Sequence, residues 1–316
     1  MNRNRITKTV KIGGFPPVNA VFIGGRYPLV IQTMWKDPLS FRDLEGDSGA
    51  ALVSRIQNLQ KMGCGLLRFA VPGCEAAEAL GNLASMVSMP LCADIHFDYK
   101  IALRCLDFPV AKLRINPGNI GGREKVKAVL EKAGHKGVPI RIGVNAGSLP
   151  SDLRVKIAEG MEITQALVQA ALRELAIFGE FGFQDILVSM KASGIADTII
   201  ANRLLSNETD VPLHIGLTEA GPLVGGTVRN AAALFALLRD GIGDTIRVSL
   251  SDTVENEVIA GREILAAASE CIAAESGGAL PGQADAAGAA RGCDPVKRLR
   301  RPGVRIVSCP RCGRCG

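Results

Sequence analysis

The chain has 316 residues, 47% of them apolar, and a formal net charge of +6. That is enough apolar material for a sizeable soluble core, and no apolar stretch approaches the ~20 residues that a membrane span needs. The basic N-terminus MNRNRITKTV runs into no apolar segment, so a cytoplasmic protein without a secretory signal is expected, with no membrane partner.

Short apolar runs at 28–32, 66–70, 91–95, 110–115, 139–144, 185–190, 212–217 and 245–250 predict eight strands. They lack strict polar/apolar alternation, as parallel strands buried on both faces do. Helical patterns lie between them, including 121–136, 164–178 and 227–238. Eight βα units in about 250 residues predict a TIM (β/α)8 barrel. A doubly wound sheet is the alternative, but its usual G-x-G-x-x-G turn is absent from the chain.

Polar residues recur where these runs end. In chain order they are Gln32, Thr33 and Met34; Arg68; Asp94 and His96; Arg114 and Asn116; Arg141 and Asn145; Ser189 and Lys191; His214, Thr218 and Glu219; Arg247 and Ser249. A TIM barrel places its chemistry at the C-terminal ends of its strands. Arg68, Arg114, Arg141 and Arg247 occupy matching points of four runs, so four fixed positive charges converge on one space. Such an arrangement makes sense around a strongly anionic ligand, a phosphate or diphosphate. The Gly-rich loops RINPGNIGG and LTEAGPLVGGTV add backbone N–H groups suited to anions.

Lys191 could form a Schiff base, ligate a diphosphate or donate a proton; beside four arginines the anion role fits best. Glu219 in a positive pocket should stay ionised unless burial overrides. Asp94, His96 and Asp98 share one side of an extended strand and could hold a divalent cation. Helix capping by Asp98, with acid–base or hydrogen-bonding duty for Asp94 and His96, is the preferred reading.

The barrel pattern closes with a helix around 254–268, giving a barrel domain over 1–270. An Ala/Gly-rich and basic linker follows over 271–303. It contains Lys297, Arg298, Arg300 and Arg301, and with Arg305 these account for most of the net charge. Aromatics are absent there, so a solvated linker rather than a nucleic-acid contact is expected. Of nine cysteines, Cys64, Cys74, Cys92 and Cys105 are expected to be small buried hydrophobes. Cys309, Cys312 and Cys315 form C-x-x-C-x-x-C, and two-residue spacing suits one metal or the corners of an iron–sulfur cluster. A zinc site would need a further ligand such as Cys293.

Several long stretches, in order, carry a resemblance. ADIHFDYKIAL, LRINPGNIG, PIRIGVNAGSL, VSMKAS, LHIGLTEAG, GIGDTIRVSL and SCPRCGR closely resemble the 4-hydroxy-3-methylbut-2-enyl diphosphate synthases of isoprenoid biosynthesis. The likeness runs from about residue 6 to 314 and weakens over 34–46 and in the linker. It implies a TIM barrel followed by a smaller domain with a [4Fe–4S] cluster. The implied reaction is reductive ring opening and dehydroxylation of 2-C-methyl-D-erythritol 2,4-cyclodiphosphate, with two electrons from ferredoxin or flavodoxin. It also implies a homodimer in which the cluster domain of one chain covers the barrel of the other.

By this resemblance Arg68, Arg114, Arg141, Lys191 and Arg247 hold the cyclic diphosphate. Asn116, Asn145, His96, His214 and Ser249 complete the pocket, while Asp94 and Glu219 assist proton handling. Cys309 and Cys312 match the first two cluster ligands, and Cys315 is a candidate third. The family's G-C-x-V-N-G-P-G-E motif, source of its third cysteine and of a glutamate ligand, is absent, so 304–316 is expected to be the start of a truncated cluster domain. The alternative is a barrel that binds a diphosphate without redox chemistry. A pterin-binding barrel of the dihydropteroate synthase type would leave the cysteines unexplained.

Overall fold

A computed structural model describes residues 5–192 and 194–275. Cys293, Cys309, Cys312 and Cys315, most of the expected linker and the whole segment 304–316 lie outside them. The described chain begins with an antiparallel hairpin of β1 (Val10–Ile12) and β2 (Val21–Ile23). Eight parallel strands follow: β3 (Val30–Met34), β4 (Cys64–Ala70), β5 (Leu91–Ile95), β6 (Lys112–Ile115), β7 (Ile140–Asn145), β8 (Ile186–Lys191), β9 (His214–Ile215) and β10 (Thr245–Ile246). The helices are α1 (Gly46–Lys61), α2 (Cys74–Met86), α3 (Tyr99–Cys105), α4 (Pro117–Ile120), α5 (Arg123–Lys136), α6 (Ser151–Ala158), α7 (Ile163–Glu180), α8 (Ile195–Glu208), α9 (Leu223–Arg239) and α10 (Val254–Glu275).

The sheet order is β8-β7-β6-β5-β4-β3-β10-β9. A parallel bridge from Val188 to Leu213 joins its two ends, and Val188 N donates to Pro212 O at 3.0 Å. The expected (β/α)8 barrel is therefore formed. All eight expected strands are present, with two differences. β9 and β10 are only two residues long, and β9 ends just before Gly216, which has φ 150°. Also, β5 to β8 alternate more regularly than expected. Ala93, Ile95, Leu113, Ile115, Ile140, Ile142, Val188 and Met190 belong to the core beneath the helices. Their neighbours Asp94, Lys112, Arg114, Arg141, Ser189 and Lys191 are buried too, on the opposite face that the period of two dictates. A polar barrel interior, rather than a second apolar one, restores the alternation.

The hairpin was not anticipated. Val10, Ile12, Val18 and Ile23 pack with Val30, Leu66, Ala111 and Leu187 in one cluster. These last four lie in or beside the early parts of β3, β4, β6 and β8, so the hairpin is an apolar plug under the barrel floor. α10 continues through Glu275, past residue 270, with Ala268, Ile272 and Ala273 buried along its inner face. No helix among the described residues is long and apolar enough to cross a membrane. Cys64, Cys92 and Cys105 are buried as expected, but Cys74 is exposed because it opens α2 at its N-terminal end.

Candidate active site

The register of the central strands brings the charges together. Asp94 on β5 is paired with Arg114 on β6, which is paired in turn with Arg141 on β7. Neighbours in register project to the same face, so all three enter the barrel side by side. Asp94 Oδ1 accepts from Arg114 Nη1 at 3.0 Å, and its Oδ2 lies 3.3 Å from Arg68 Nε. Burial alone would raise the Asp94 carboxyl, but Arg68, the His96 ring, Arg114 and Arg141 together hold it well below the usual carboxylate range. Asp94 is thus a fixed anion that spaces cations apart.

Arg141 is almost fully buried and donates from Nη1 to Ser189 Oγ at 2.8 Å. Its Nε and Nη2 have no hydrogen-bond partner among the described residues. Burial, then Arg68 and Arg114, push this guanidinium down to about 9, which still leaves it charged at neutral pH. Lys191 is held well below its ordinary value by burial and by Arg247, Arg141 and Arg68. Glycines give these long side chains room. A Cβ on Gly143 would meet Arg114 Nε and, at 2.7 Å, Nη2; one on Gly216 would approach Lys191 Nζ at 3.4 Å.

Arg247 closes the circle from the other side. Its Nη2 lies 3.3 Å from Glu257 Oε1, on the first turn of α10. Glu257 also accepts from Thr33 Oγ1 at 2.6 Å and from Leu250 N at 3.0 Å. Lower in the barrel, Lys112 Nζ donates to Gln32 Oε1 at 2.7 Å. Burial first, then the nearby Arg141 and Arg68, push Lys112 down to about 8. His214 is buried and shares a 2.5 Å hydrogen bond between Nδ1 and Thr245 Oγ1. Burial and the surrounding cations keep its ring neutral, and Nε2 has no partner among the described residues.

The remaining expected residues sit at the rim or beside the cations. Asn116 is buried at the start of α4. Asn145 Oδ1, in the amide orientation that satisfies both of its groups, accepts from Arg114 Nη2 at 3.2 Å. The His96 side chain is half exposed, with Nε2 3.6 Å from Asp94 Oδ2. Ser249 is partly buried. Glu219 is exposed in the loop after β9, with φ 51°, and is the one non-glycine residue with positive φ among those described. Asp98 caps α3, accepting from Lys100 N at 2.9 Å. Among the described residues no group of three or more His, Cys, Asp or Glu side chains could hold a metal ion.

The buried Lys112, Asp244 and Glu257 and the partly buried Glu174 escaped the sequence reading. Lys112 had a signal, since it lies two residues before Arg114 and so on the same strand face. Glu257 and Glu174 lie on helices and carried none.

Clustered cations, a caging carboxylate and unpaired guanidinium nitrogens lie together inside the barrel, and residues 7–262 match the GcpE TIM-barrel domain. The chain belongs to the GcpE family. It is 45% identical to a 4-hydroxy-3-methylbut-2-en-1-yl diphosphate synthase (flavodoxin) of Treponema denticola, over 100% of this chain and 78% of that protein. The protein of the same name from Treponema pallidum is 46% identical, over 98% of this chain and 70% of its own. A dihydropteroate synthase of Thermus thermophilus has a similar barrel, with a TM-score of 0.50 and 14% identity over 80% of this chain and 97% of the other. At that identity the likeness concerns the fold alone.

Proposed function

We propose that this GcpE-family chain is an iron–sulfur oxidoreductase of isoprenoid biosynthesis. It reductively opens 2-C-methyl-D-erythritol 2,4-cyclodiphosphate and removes a hydroxyl to give (E)-4-hydroxy-3-methylbut-2-enyl diphosphate. The name shared by its relatives supports the reaction and flavodoxin as electron donor. The observation that carries the reading is the barrel interior itself. Arg68, Arg114, Arg141, Lys191 and Arg247 surround one space, and among the described residues Asp94 and Glu257 are their close carboxylate partners. A diphosphate supplies the missing negative charge and accepts from the free Arg141 nitrogens.

In this proposal Asn116, Asn145, His214 and Ser249 orient the substrate, Asp94 stays ionised and orients the arginines around it, and His96 and Glu219 hold or move protons at the rim. The strained backbone of Glu219 supports a functional role. A [4Fe–4S] cluster would be held by Cys309 and Cys312, with Cys315 as a third ligand, and would supply electrons one at a time. A cytoplasmic homodimer belongs to the same proposal and rests on the family resemblance.

Calorimetric titration of the chain with the cyclodiphosphate tests the site. Arg114→Ala and Arg141→Ala should each weaken binding by roughly tenfold to a hundredfold, the worth of a charge-assisted hydrogen bond. No binding by the parent chain would overturn the reading. Iron and acid-labile sulfide after anaerobic reconstitution test the cluster, with about four of each expected per chain. Tight binding without iron would favour the diphosphate-binding barrel that lacks redox chemistry.

A further inference from the structure

A cavity of about 430 Å3 opens beside the cationic interior, between the segment after β3 and the end of β4. Its walls are mainly apolar: Met34, Trp35, Pro38, Leu39, Ala70 and Pro72. Arg247 also lines it, so the cavity and the anion site share a guanidinium. Met34 joins them a second time, since its Sδ lies 2.6 Å from Arg68 Nη2. Its volume corresponds to roughly fourteen water-sized groups at about 30 Å3 each, more than a single ring substituent needs and within the range of small-molecule pockets.

The walls are held open by packing. Trp35 stacks on Phe69 with ring centroids 5.7 Å apart, and the Arg55 guanidinium lies 4.6 Å from the indole centroid. The neighbouring Lys36, also a lining residue, is drawn away to Leu250 O at 2.7 Å and to Glu257 at 3.2 Å. Among the described residues the one lining carboxylate is Asp37. An apolar trough that ends on fixed cations fits a molecule with the same division, an anionic head and a hydrocarbon tail.

We propose that this cavity is a tail subsite for prenyl diphosphates longer than the product. The diphosphate head takes the place of the substrate's phosphates among Arg68, Arg114, Arg141 and Arg247, and the allylic chain lies along Trp35, Leu39 and Pro72. Such a ligand excludes the substrate, so downstream isoprenoid diphosphates inhibit the barrel in proportion to chain length. The inference rests on the diphosphate reading of the cationic site.

The test uses the full chain and its single tryptophan, which sits in the cavity wall. Inorganic diphosphate, dimethylallyl diphosphate and geranyl diphosphate are titrated while Trp35 emission and binding heat are followed. Geranyl diphosphate carries five more carbons, and burying even part of them should lower its Kd at least about tenfold below that of dimethylallyl diphosphate. Its binding should shift Trp35 emission. Pro72→Phe fills the trough at an exposed position in the loop beyond β4, outside the cationic site. It should abolish the chain-length dependence and leave inorganic diphosphate binding unchanged.

Equal Kd values for the two prenyl diphosphates, or unchanged Trp35 emission on saturation, would overturn the subsite while leaving the cationic site intact. Chain-length dependence that survives Pro72→Phe would also overturn it. If neither inorganic diphosphate nor the cyclodiphosphate binds, the diphosphate reading fails and the subsite fails with it.

Discussion

Glu257, on the first turn of α10, meets Arg247, just beyond β10, at 3.3 Å, and this pair fastens the last helix to the cationic interior. The same carboxylate accepts from Thr33 on β3 and lies 3.2 Å from Lys36 Nζ. One buried acid therefore ties the first barrel strand, the segment after it and the last cation into one unit. Glu257 limits the rotamers of Arg247, so in the proposed site its guanidinium meets an anion from a defined direction.

Glu257→Gln keeps the shape and removes the charge. Breaking a buried ion pair from one side costs about 3 kcal/mol or more, because the partner charge is left uncompensated. For a domain of this size, Tm should fall by several degrees, at about 2–4 °C per kcal/mol. Saturating inorganic diphosphate should recover part of the loss, since it replaces the lost negative charge and binds only the folded state. Thermal unfolding with and without diphosphate measures both effects. An unchanged Tm would mean that the pair does not organise the site.

Arg114 lies against β7 where only glycine leaves space. Gly143→Ala should push the guanidinium from its place beside Asp94, because the new methyl would meet both Nε and Nη2. Gly143 is not in the left-handed region, so the backbone accepts alanine and the strand should survive. Diphosphate affinity should fall by up to the roughly tenfold to hundredfold expected for losing Arg114, with an unchanged circular dichroism spectrum. Equal affinity in the variant and the parent would show that Arg114 has another way to reach the ligand.

The arginines were legible because each interrupts an apolar run. Arg114 and Arg141 are register partners, Arg68 is paired two residues lower with Cys92, and a period of two places all of them inside once a barrel is assumed. Lys112 obeyed the same rule in K-L-R-I but stood too early in its strand to look functional. Glu257 could not be read this way: it is one of 31 acids, and its partner Thr33 lies 224 positions away in the chain. The plug of β1 and β2 was missed because strands of three residues leave almost no pattern. Its flanking pairs Gly13–Gly14 and Gly24–Gly25, all with positive φ, were the available signal.

Ligand binding should draw protons into the barrel. Burial, together with Arg247, Arg141 and Arg68, depresses Lys191 in the free protein. A bound diphosphate stabilises its charged form and raises it. Between those two values, binding is coupled to proton uptake, and affinity falls as pH rises. At pH 8 the binding enthalpy should therefore depend on the ionisation enthalpy of the buffer. Lys191→Met should remove much of that dependence, leaving a smaller part from Lys112, which burial pushes down to about 8. No buffer dependence in the parent would mean that Lys191 is already charged before the ligand arrives.

Glu174 on α7 gives a separate pH signature. One oxygen would lie 3.7 Å from a Cβ placed on Gly118 of α4, and the other has no hydrogen-bond partner among the described residues. Burial raises its carboxyl to about 7. An acid raised in the folded state binds more protons there than in the unfolded chain between its ordinary value near 4.5 and about 7. Its protonated form adds no penalty at low pH, and stability is lost as pH rises through that window. Asp94 works in the opposite sense at lower pH, so the comparison must be with a variant rather than with an absolute slope. Glu174→Gln should match the parent in Tm near pH 4.5 and exceed it at pH 8, by about 2–4 °C for each kcal/mol of burial cost relieved. A difference that is the same at both pH values would place the effect in packing or hydrogen bonding rather than in the charge.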